Sequence, residues 1–309
     1  MKDRIPLSVY LVILFIMAQT VGILILQEYI DFESTQGSGN TTLIESAYVV
    51  VPPKVENESL SFILIIVALI AGTALILLLI KLGRMLIWKL WFFLSVSIAL
   101  VFAFYPFLLH VFSANVSLVI AIVIALTGAF FKIFRPVMFV HTFTELFMYG
   151  GLAALFVPII DLTAAVSMLL ILSVYDFYMV NKSGQMVTLA QAQLKHQVLA
   201  GLYVSRTNDL PKPVELGEGE QVEVKKGRSS QAMIGGGDIA FPMFFAGALM
   251  KANWVGISPF QTGIIAAICA TLGIIMLFAF SRQQKFYPAI PFITAGCMMA
   301  LGIMLALYT

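Results

Sequence analysis

The sequence predicts an all-α, polytopic membrane protein with nine transmembrane helices. Three observations carry that prediction. The 309 residues are 61% hydrophobic and only 11% charged, where soluble domains run to about 45–50% apolar and about 25% charged. Nine apolar runs reach roughly the 20 residues that a bilayer-spanning helix needs. Basic residues then fall mainly between alternate runs, on one side of the membrane.

The first run, 7–27, follows "MKDRIP". It is longer than a signal-peptide core of roughly 7–15 residues and reads as a retained span. A polar stretch, "QEYIDFESTQGSGNTTLIESAYVVVPPKVENES", leads to the second run, 61–82. The runs 88–112, 116–134, 137–160 and 162–180 follow on short joints and should be antiparallel neighbours. After about 50 residues come the last three, 232–249, 259–280 and 287–308. The chain thus divides into an N-terminal six-helix part (1–180), a loop (181–231) and a C-terminal three-helix part (232–309).

With the N-terminus inside, 16 of the 18 lysines and arginines lie on the inner side; only Lys54 and Lys251 fall outside. This places the N-terminus and the loop 181–231 in the cytoplasm and the C-terminus outside. Trp88 and Trp91 fit an interfacial belt, and Lys132 and Arg135 read as anchors that snorkel to the surface. Within the loop, "MVTLAQAQLKHQVLAGLYV" is weakly amphipathic and suited to the membrane surface. "LPKPVELGEGEQVEVKKGRSS" is rich in Pro, Gly and charge and reads as largely flexible, with strand character in "QVEVK". A net charge of +2 gives no reason to expect a nucleic-acid partner. Cys269 and Cys297 both lie in apolar runs and form no disulfide framework.

Glu145, Asp176 and Asp238 are carboxylates inside spans. An ionised side chain at the bilayer centre costs about 2.5–3.5 kcal/mol on the insertion scale, so each is a candidate functional residue. Asp176 is about five residues from the inner end of the sixth run, and Asp238 about six from the start of the seventh. Both should then lie roughly 8–10 Å below the inner surface. At a common depth on consecutive spans they can face each other. Two carboxylates in contact hold one proton between them near neutrality. The ionised member can take a proton from water while the other donates to a scissile carbonyl, with no metal, cofactor or covalent nucleophile. The glycines in "GGGD", Gly235 to Asp238, would let the backbone approach closely and leave the helix start unwound. The same carboxylates also suit a proton- or cation-coupled transporter, and a non-catalytic helix-binding protein is a third class.

"SVYD", Ser173 to Asp176, resembles the tyrosine–aspartate motif on the sixth span of presenilins and signal peptide peptidases. "GGGD" is similar to the Gly-x-Gly-Asp motif on their seventh span, and "YPAIP", Tyr287 to Pro291, to the Pro-Ala-Leu motif opening their ninth. The resemblance implies a presenilin-like nine-span fold and intramembrane aspartyl proteolysis of transmembrane helices. It makes Asp176 and Asp238 the catalytic pair, with Tyr175 beside the first. Gly235 and Gly237 would shape the approach to the second, and Pro288, Ala289 and Ile290 would build the cleft. Ile290 departs from the family's leucine, which puts fine geometry at issue. The basic inner side favours the presenilin-like orientation over that of signal peptide peptidases, whose pair is inverted. A prokaryotic-type homologue of this kind would act on a membrane-helix substrate within lipid without obligatory subunits; self-association stays open.

His141 and Glu145, four residues apart, share a helix face and read first as an internal hydrogen bond, second as a metal or proton site. No His-Glu-x-x-His or Gly-x-Ser-x-Gly occurs. "NTT" at Asn40 and "NES" at Asn57 are glycan-acceptor patterns on the expected outer face.

Overall fold

The computed structural model describes residues 7–38, 41–44, 85–135, 137–178, 200–205, 231–280 and 288–308, with scattered positions between 65 and 83. In chain order the elements are α1 (Leu7–Tyr29), the short α2 (Phe32–Ser38), α3 (Met85–Leu109), α4 (Ala114–Ile133), α5 (Met138–Phe156) and α6 (Leu162–Tyr178). Strands β1 (Gly201–Ser205) and β2 (Gln231–Gly235) follow, then α7 (Gly236–Lys251), α8 (Pro259–Phe280) and α9 (Ile290–Tyr308). The second expected span, 61–82, is described only at isolated positions, and those between Ile65 and Leu79 are helical. Six helices among the described residues are long and apolar enough to cross a membrane. Two more, α6 with 17 residues and α7 with 16, are shorter. The fold is that of a multi-pass helical membrane protein.

The protein is not all-α. β1 and β2 form a two-stranded antiparallel ladder in the register Gly201↔Gly235 to Ser205↔Gln231. It replaces two expectations. Residues 201–204 close the stretch read as amphipathic, and 232–235 open the run read as the seventh helix. A short apolar run bordered by glycine does not tell strand from helix by periodicity alone. Gly201 has φ +139°, and a Cβ there would lie 2.2 Å from the Ile234 carbonyl oxygen. Only glycine fits that corner. "QVEVK" lies outside the described residues, as does most of the loop read as flexible.

Helix α7 is the centre of the bundle. Helices α1, α5, α6, α8 and α9 all pack against it, and Ile239, Ala240 and every residue from Pro242 to Met250 is buried. That surround explains why its sequence is apolar on all sides. The helices end for local reasons. Pro158 converts the end of α5 into a 3₁₀ turn over Val157–Ile159. Asp161 Oδ1 accepts the Ala164 N–H at 2.6 Å and caps α6. At the opposite end of α7, Gln36 Nε2 donates to the Met250 and Ala252 carbonyls at 3.0 and 2.9 Å. These are helix-end acceptors that have no intrahelical donor.

Candidate active site

The starts of α5, α7 and α9, the ends of α4 and α6, and the β-ladder meet at one end of the bundle. Asp176 lies there, two residues before the last described residue of α6, and is 8% exposed. Its Oδ2 accepts the Ile290 N–H at 3.2 Å, and the Ala289 N–H also faces the carboxylate. The Ala289 carbonyl accepts the Phe292 and Ile293 N–H groups at 3.1 and 3.2 Å, so α9 starts at this point. N–H groups at a helix start have no partner in their own helix and favour a negative group. The "PAIP" segment therefore serves Asp176 through its backbone. Its Ile290 departure from leucine leaves that hydrogen bond untouched.

Asp238 is the third residue of α7 and is half-buried. Strand β2 runs straight into the helix: Gly235 is extended (φ −64°, ψ 152°), and Gly236 donates to the Ala200 carbonyl at 3.2 Å. The expected unwound start is thus absent, because the ladder takes up the backbone groups that unwinding would strand. The Asp238 carboxylate folds back over Gly235, whose N–H is directed to it. A Cβ on Gly235 would sit 3.2 Å from Oδ2. This is the N3-to-N-cap arm of a capping box.

The two carboxylates interact electrostatically across the packed α6 and α7. Asp238 sits in the first turn of α7 and Asp176 in the last described turn of α6. The structure therefore brings together Asp176, Asp238, Gly235, Ala289 and Ile290. Pro288 lies half-buried beside them. Gly237 packs near Phe241, whose ring carbon would be 3.3 Å from an added Cβ. Tyr175 stands apart with 52% of its surface exposed.

Lys132 does not snorkel. It is 2% exposed and ion-paired to Glu145, itself 0% exposed. A carboxylate buried between helices needs a counter-charge, and the last turn of α4 supplies it. His141 shares the face as expected, with Nε2 4.0 Å from Glu145 Oε1 and 3.1 Å from the Gly201 carbonyl oxygen. Among the described residues no cluster of ligating side chains suits a metal ion.

Three residues were not anticipated. Tyr149, one turn beyond Glu145, is buried with its hydroxyl against Gly236. The His141–Glu145 spacing, extended by four, points to it. Gln19, fully buried in α1, donates through Nε2 to the Ile239 carbonyl at 2.9 Å. Pro242 has no N–H for the Asp238 carbonyl, so the backbone beside it is held from α1 instead. An amide in an otherwise apolar span was the available signal. Gly236 is the third: a Cβ there would lie 2.7 Å from the Tyr149 hydroxyl. Beside these glycines opens a cavity of about 440 Å³, lined by Val96, Ala99, Met148, Leu152 and Met233 among others.

A multi-pass helical bundle with two carboxylates near one end is compatible with acid–base hydrolysis within a membrane. The chain belongs to the signal-peptide peptidase and presenilin aspartyl protease family, whose profile matches residues 12–308. It is an intramembrane aspartyl protease. Two solved structures of a presenilin-family intramembrane aspartate protease, in C222 and P2 crystal forms, share the fold. Their TM-scores are 0.64 and 0.62, each at 15% identity, covering 97% and 99% of this chain and 99% and 100% of theirs. No curated protein matches significantly. Neither comparison supports the transporter alternative.

Proposed function

We propose that Asp176 and Asp238 are the catalytic pair and that they hydrolyse a peptide bond of a transmembrane helix. The observation that carries this reading is the junction of α6, α7 and α9, where the start of α9 donates to Asp176 and Asp238 opens the helix packed against α6. Carboxylates that feel each other lose their protons one at a time. The ionised member takes a proton from water as that water attacks the scissile carbonyl carbon. The protonated member donates to the carbonyl oxygen, and collapse of the tetrahedral adduct returns a proton to the leaving amine.

A membrane helix hides its scissile bonds within its own hydrogen bonds. The substrate therefore enters from lipid, unwinds near the pair and lies extended beside β2, which runs directly into Asp238. One edge of β2 pairs with β1; the other suits strand addition, with main-chain bonds fixing the register. The cavity beside Gly235 and Gly236 takes an apolar side chain next to the cut. Gly237, Pro288 and Ala289 shape the cleft. The pair faces the cytoplasm with the N-terminus and the loop 181–231, the C-terminus lies outside, and one chain suffices.

The test is a single-span peptide reconstituted in liposomes with the purified protein. The expected result is one cut, a few residues from the cytoplasmic end of the peptide, that is lost in Asp238→Ala. Cleavage that persists in that variant, or proton flux with no cleavage, would overturn the reading.

A further inference from the structure

Behind the second aspartate lies a set of buried polar side chains that the acid–base step does not use. His141, Glu145 and Tyr149 follow one another at four-residue intervals on a single face of α5. Lys132 reaches Glu145 from α4. All four are buried, at 1%, 0%, 2% and 2% exposure respectively. Such groups are rare within a membrane bundle, and removing one leaves its partner stranded.

The cluster reaches the active end by two arms. The Tyr149 hydroxyl packs beside Gly236, so close that a Cβ there would be 2.7 Å away. His141 holds the carbonyl of Gly201, whose ladder partner is Gly235. Gly235 and Gly236 are the two residues whose backbone sets where Asp238 enters its helix.

We propose that Lys132, Glu145, Tyr149 and His141 form a positioning network that holds the Gly235–Gly236 corner, and hence the Asp238 carboxylate, in register with Asp176. This rests on the assignment of Asp238 as catalytic. Tyr149 also borders the cavity beside these glycines, and the network acts on Asp238 through the Gly235–Gly236 backbone rather than on the reacting atoms. Misplacement of an acid–base group by a fraction of an ångström slows the chemical step without weakening substrate binding.

The variants separate positioning from packing. Lys132→Met with Glu145→Gln removes both charges while keeping both volumes, and neutral replacement of a buried pair is commonly tolerated. Tyr149→Phe removes one oxygen. Both proteins should unfold at the wild-type temperature, and both should cleave with kcat lowered about tenfold at unchanged KM. Wild-type kcat in both, with Asp238→Ala inactive, would overturn the network and leave the catalytic pair standing. A rise in KM alone would also overturn it, since that marks lost substrate binding. Should the double variant fail to fold, Tyr149→Phe decides by the same readout. Normal cleavage by Asp238→Ala would sink the underlying assignment instead.

Discussion

At the scale of single residues, each acid is held by backbone from another element. Asp176 rests on N–H groups at the start of α9, and Asp238 on its own N-cap. Because Ile290 contributes its N–H rather than its side chain, Ile290→Leu should leave cleavage within about twofold of wild type, as volume-conserving swaps usually do. Glu145→Gln alone should behave differently, since it leaves the Lys132 ammonium buried without its counter-charge. A loss of about 3–5 kcal/mol of stability is expected, measurable by thermal unfolding in detergent, with recovery on adding Lys132→Met. Both acids, and the shared face of His141 and Glu145, were legible in the sequence because an ionisable group in an apolar run is conspicuous. Lys132 was misread because a lysine near a span end has two physical outlets. Only the packing of α4 on α5 chooses the buried one.

At the scale of elements, the β-ladder is the feature that pattern reading missed. "GLYVS" and "QAMIG" are too short and too apolar to declare a period. The triplet of glycines was read as loosening a helix start, when one of them ends a strand. The corner at Gly201 is the sensitive point: Gly201→Ala puts a Cβ into the Ile234 carbonyl at φ +139°. We expect about 1–3 kcal/mol of strain and slower cleavage, because the ladder aligns the entry to Asp238. A variant as stable and active as wild type would show that the ladder is dispensable. At the opposite end, Asp31 caps α2 by accepting the Ser34 N–H and hydroxyl at 3.0 and 2.6 Å. Those bonds hold its carboxyl below the usual range. A lowered carboxylate contributes above its unfolded value, near 4, and loses that contribution as pH falls through the folded one.

At the scale of the whole molecule, eight of the nine expected spans appear as described helices. The nine-span layout came from apolar length and from basic residues alone. What those signals do not carry is where each helix starts: α7 begins only at Gly236, because β2 takes the residues before it. The orientation has its own check. Cys269 and Cys297 are buried, so single cysteines can be read against them. Ser229→Cys should react with an impermeant maleimide from the cytoplasmic side only, and Asn253→Cys from the outside only. The reverse pattern would invert the protein and place its cut near the other face.

The most direct measurement compares cleavage rates of Asp176→Asn, Asp238→Asn and the double variant, each shown to be folded. Residues that act as one unit are grossly non-additive. Each single change should reduce the rate to the same floor as both together. If either single variant cuts at the wild-type rate, or if the two losses multiply in the double, the carboxylates do not work as a pair.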